Sequence, residues 1–177
     1  YLWDVKKAIK ANKTKPIPED IFDKILQCAL KEKNILTKSG IIIQSQTGLR
    51  INEIISIRED CVHTTTEGYD YMEFSLSKTE KGEPITHKVF INELVKNAIA
   101  ELEEYTNDLR KESGLKELFL SKIKSKNNTI DILKTDNFSD KRLPQFIKKW
   151  DIRDNKGHLS PLKSHQLRAT FVRELIK

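Results

Sequence analysis

Apolar residues along most of this chain recur every three or four positions, and in one central stretch they alternate with polar ones instead. The first pattern predicts amphipathic helices and the second a half-buried antiparallel sheet. Pro18-Glu19-Asp20 opens the first helix with proline early and carboxylates in the first turn, and Ile21, Phe22, Ile25, Leu26, Ala29 and Leu30 then mark a buried face. A second helix from about Thr37 carries Ile41-Ile42-Ile43 and stops at Gly48, a residue suited to a left-handed cap. A third follows at once, from near Arg50 to about Ile57.

From Cys61 to Ile91 the period changes. Met72, Phe74 and Leu76 face one way, Tyr71, Glu73 and Ser75 the other, and Ile85, His87, Val89 and Ile91 alternate on the return. A first strand near residues 61–65, turning at Glu67-Gly68, makes the expected sheet three-stranded. Residues 93–111 predict a long helix with Leu94, Val95, Ala98, Ile99, Leu102, Tyr105 and Leu109 inward. Residues 121–128 are lysine-rich and predict a loop, while Leu143, Phe146, Ile147 and Trp150 mark a further helix whose first turn accommodates Pro144. The last helix has Leu167, Phe171 and Leu175 on its buried side and starts from Ser164, the expected N-cap.

Composition adds a direction. The 177 residues are 37% apolar, enough for one domain, and carry a formal charge of +6 that suits a polyanionic partner. Cys28 and Cys61 show no metal-ligand spacing and predict structural thiols in a reducing cytoplasm. No metal or cofactor motif is present, and no apolar run reaches the length of a membrane span. Residues 1–17, with Lys6, Lys7, Lys10, Lys13 and Lys15 before Pro16, read as a basic linker into a domain spanning 18–177, or equally as a basic tail.

Two short stretches carry candidate chemistry. His165 and Arg168 lie three apart, on the face opposite Leu167 and in the first turns of a helix, where free N–H groups favour an anion such as phosphate. Arg50, between two helices, sits at a corner from which its guanidinium can enter a cleft, with Glu53 one turn on. Thr47-Gly48-Leu49-Arg50 with Glu53, followed far downstream by His165-Gln166-Leu167-Arg168 with Thr170-Phe171, resembles the two boxes of the tyrosine recombinases, the integrases of phages and mobile elements.

The resemblance covers roughly residues 18–177 and departs at Ala169, where many members have a second histidine. It implies a mostly helical catalytic domain with a small three-stranded sheet, acting on double-stranded DNA through a 3′-phosphotyrosine link. Arg50, Arg168 and His165 are then the phosphate grip, and Lys78, on the hairpin, donates a proton to the leaving 5′-oxygen, with Lys81 its competitor. Lys81 and Lys163 are candidate DNA contacts. The resemblance also implies assembly as tetramers on paired sites. Its attacking tyrosine has no counterpart among Tyr1, Tyr69, Tyr71 and Tyr105, so the chain is expected to lack the C-terminal segment and to be inactive alone. Rival readings are a non-catalytic DNA-binding module that keeps the grip, a type IB topoisomerase, and a helical interaction protein unrelated to DNA.

Overall fold

The computed structural model describes residues 14–75 and 85–177. Helix α1 (Glu19–Lys31) starts where Phe22 N–H reaches the Pro18 carbonyl at 2.9 Å, and it buries Ile21, Phe22, Ile25 and Ala29. Helix α2 (Ile35–Thr47) begins two residues earlier than the sequence suggests, because the Asn34 side chain caps it by accepting from Thr37 N–H at 3.2 Å. It ends at Gly48, which adopts φ 69°.

The apolar run in α2 is helical because it is buried on every side, so the cap and the glycine stop outweigh the β-branched propensity. Ile41, Ile42 and Ile43 are each almost fully buried, worth about 1.5–3 kcal/mol apiece. Helix α2 is thus the hub of the molecule, packed by α1, by α4 (Glu93–Ser113) and by α6 (Ser164–Leu175). At Gly40 the Phe138 ring lies so close that a Cβ would sit 2.3 Å from it, so only glycine fits.

The three-stranded sheet has the expected order, β1 (Val62–Thr64), β2 (Asp70–Ser75) and β3 (Thr86–Phe90), all antiparallel. Met72 pairs with Val62 and Val89 on the core face, while Tyr71 pairs with His63 and Phe90 on the outer face. Helix α3 (Ile51–Ile55) leads into this sheet.

Several expectations fail for identifiable reasons. Residues 121–128 are not all loop: β4 (Leu120–Ile123) and β5 (Thr129–Ile132) form a second, two-stranded sheet. Its exposed lysines mask the alternation, and the turn depends on Asn127 and Asn128 at positive φ. Tyr105 is 57% exposed, since the buried stripe of α4 passes through Leu102 and Thr106 instead. Leu175 is also exposed, whereas Leu167 is buried. Before α5 (Leu143–Lys149) the chain makes a π-helical turn, Asn137–Arg142, which buries Phe138. Ile17 is buried in the core and its backbone is held by Thr170 and Arg173 of α6.

Candidate phosphate-binding site

The first motif forms a rigid corner. Gly48 N–H bonds to the Gln44 carbonyl at 2.9 Å, and Thr47 donates its hydroxyl to the Ile43 carbonyl at 2.6 Å. Arg50 then becomes extended and caps α3. The buried Glu53 carboxylate accepts from Arg50 N–H at 2.9 Å, while its other oxygen lies 3.8 Å from the Arg50 guanidinium. Glu53 therefore fixes the backbone from which Arg50 projects, and the guanidinium itself stays open to solvent.

The second motif is held against this corner by buried polar contacts. Ser164 does not cap α6: Lys163 takes that position, and its N–H donates to the Gln166 side chain at 2.9 Å. Ser164 is instead the first helical residue, buried, with its hydroxyl bonded to both amide atoms of Gln44 at 2.8 and 3.0 Å. The Gln44 amide also donates to the Leu49 carbonyl at 3.2 Å. Arg168 completes the junction, donating from Nε to the Gly48 carbonyl at 2.7 Å. That bond fixes the stem of the guanidinium while α6 fixes its backbone.

Arg50, His165 and Arg168 consequently line one hollow of about 340 Å³, together with Ile51, Asn52, Thr135 and Ser164. Residues from the first turns of α3 and α6 border it, and the N-terminal end of the twelve-residue α6 adds its dipole to the two guanidinium charges. His165 and Arg168 also border a second hollow of about 210 Å³ with Thr14, Ala169 and Val172. A larger space of about 450 Å³ beside the sheet is of mixed charge, bordered by Glu59, Asp60 and Glu73 but also by Arg58 and Lys116.

Of the remaining sequence candidates, Lys78 and Lys81 fall outside the described residues, and Lys163 is exposed beside the hollow's helix without lining it. Tyr69, Tyr71 and Tyr105 do not line it either: Tyr71 packs against His63 and Lys88, and Tyr69 against Phe90. Among the described residues no group of three or more His, Cys, Asp or Glu side chains is placed to hold a metal ion. No described helix is long and apolar enough to cross a membrane. Sequence reasoning missed Gln44 and Thr135. Gln44 sits in the last turn before Gly48, directly after Ile41-Ile42-Ile43, and a polar residue adjoining that buried run was its available signal.

The model of the Phage integrase family matches residues 15–177. The chain belongs to the phage integrase family. Among solved structures, XerA recombinase is similar in fold, with a TM-score of 0.64 and 17% identity over 92% of this chain and 51% of that one. The Tn1549 transposon integrase in complex with circular intermediate DNA gives 0.60 and 17%, over 92% and 55% of the two chains. A lambda integrase dimer bound to a COC′ core site gives 0.54 and 16%, over 90% and 51%. The fold of this phage integrase family member is thus that of the tyrosine recombinase catalytic domains, and the chain spans about half the length of the solved relatives it matches. No curated protein matches it.

Proposed function

We propose that this chain is the catalytic body of a site-specific DNA recombinase, an integrase or transposase of a mobile element, that breaks and rejoins strands through a 3′-phosphotyrosine intermediate. The observation that carries this reading is the convergence of Arg50, His165 and Arg168, from two motifs far apart in sequence, on one hollow. Attack on a phosphodiester concentrates negative charge on its non-bridging oxygens, and two preorganised guanidinium groups stabilise that charge as it develops. His165 donates to the same oxygens or moves the nucleophile's proton. The phenolic oxygen of a tyrosine forms a bond to phosphorus as the bond to the 5′-oxygen breaks, and Lys78 supplies the proton that the 5′-oxygen takes up. The attacking tyrosine is none of Tyr69, Tyr71 and Tyr105, which do not border the hollow.

Double-stranded DNA is the partner, Lys81 and Lys163 add backbone contacts, and the working form is a tetramer on paired sites in the cytoplasm. Incubation with a nicked suicide duplex tests the reading. The 177 residues alone yield no covalent protein–DNA band. An intact recombinase carrying them yields one, and Arg50→Ala or Arg168→Ala abolishes it while affinity for long DNA falls only modestly, because affinity is spread over many backbone contacts. Equal losses of binding and cleavage would make the arginines structural, and a band from the 177 residues alone would refute the assignment of the nucleophile.

A further inference from the structure

The hollow has a third wall that neither motif supplies. Thr135 borders it together with Arg50 and His165, yet belongs to the segment that leaves β5 and enters the π-helical turn. Two core anchors fix its position. On one side Leu133 N–H bonds to the Phe119 carbonyl at 2.8 Å, and on the other the fully buried Phe138 packs against Gly40 of α2. Phe138 N–H reaches the Lys134 carbonyl at 3.2 Å, so Thr135 is the first residue of a helical run and its backbone N–H lies among those without an intrahelical partner. Its hydroxyl is committed weakly: it donates to the neighbouring Asp136 carboxylate at 3.3 Å, at the exposed rim.

We infer that Thr135 is a further phosphate-positioning residue, its hydroxyl exchanging the long bond to Asp136 for a shorter one to a non-bridging oxygen of the scissile phosphate. The inference rests on the phosphate reading of the hollow. Arg50 and Arg168 approach from the α2–α3 corner and from α6, and a neutral donor on a separate element fixes the rotation of the phosphate about the axis that the two guanidinium groups define. A hydroxyl does this without adding to the charge that binds every backbone phosphate equally.

The test is covalent-complex formation on the suicide duplex by the intact recombinase, comparing Thr135→Val, Thr135→Ser and Arg50→Ala. Thr135→Val keeps shape and loses the hydroxyl, and its rate constant at saturating DNA falls on the order of 10- to 100-fold, at or below the usual cost of one oxyanion donor. DNA affinity stays within about twofold, because Thr135 is one contact among many, and Thr135→Ser recovers most of the rate. A full rate in Thr135→Val while Arg50→Ala is inactive overturns the role of Thr135 alone. A comparable loss in Thr135→Ser assigns Thr135 to structure and also overturns it. Activity in both Thr135→Val and Arg50→Ala overturns the phosphate reading of the hollow itself.

Discussion

Replacing Gln44 by leucine removes the buried amide that joins the two arginine-bearing motifs while nearly conserving volume. Gln44 is 0% exposed and bonds both the Ser164 hydroxyl and the Leu49 carbonyl, so the substitution strands two polar groups. An unsatisfied buried group costs about 1–3 kcal/mol, and the Leu49 carbonyl, only half-buried, recovers part of that from water. The expected loss is therefore about 2–4 kcal/mol, which for a chain of this size lowers Tm by roughly 5–15 °C. Urea denaturation of Gln44→Leu, Ser164→Ala and the double variant measures it. Ser164→Ala alone strands part of the Gln44 amide, whereas the double variant leaves neither partner unmet, so the cycle should be non-additive by about 1 kcal/mol or more. Strict additivity, or a Gln44→Leu protein within about 0.5 kcal/mol of the parent, would refute the idea that this amide holds the motifs together.

Other perturbations follow from the same geometry. Gly48→Ala forces an alanine to φ 69° and places its Cβ 2.3 Å from the Phe171 ring, so it should cost about 2–5 kcal/mol in chemical denaturation and disturb the carbonyl that holds Arg168. Thr170→Val leaves the buried Ile17 N–H without its 2.9 Å acceptor, and hydrogen exchange should show that amide losing protection at a global cost of about 1–3 kcal/mol. Burial disfavours the Glu32 carboxylate, but donors from Lys149, Trp150 and the Asn34 backbone outweigh it and hold its pKa below the usual value. Its stabilisation is present above about pH 4.3 and is lost as pH falls through the depressed native pKa, so Glu32→Gln should flatten the acid limb of a stability–pH curve. Burial, reinforced by nearby Glu103, pushes the Cys61 thiol up to about 12, and a thiol reagent at pH 8 should reach it only after unfolding.

Long periodic stretches and special residues were legible in the sequence. The Gly48 stop, the alternation around Met72 and Phe74, and the two arginine motifs each leave a local signature tied to one backbone state. What stayed hidden depended on contacts across the chain. Ser164 has good N-cap chemistry, yet its hydroxyl is claimed by Gln44, 120 residues away, so Lys163 occupies the cap. The β4–β5 hairpin puts exposed lysines where a sequence reader expects solvent, and Lys122 pairs with Glu112 of α4 instead of marking a loop. Tyr105 and Thr106 are both compatible with a helical stripe, and only the packing of α4 on α2 selects the smaller one. Thr135 belongs to no motif; its place in the hollow follows from where Phe138 and Leu133 anchor its segment.

Arg50, His165 and Arg168 are proposed to close around one DNA phosphate, and a crystal structure of this protein with its cognate duplex would show that arrangement outright. A single phosphate should occupy the hollow with its non-bridging oxygens about 2.7–2.9 Å from both guanidinium groups. A duplex seated with its phosphates outside that hollow, or with only one of the two arginines engaged, would contradict it.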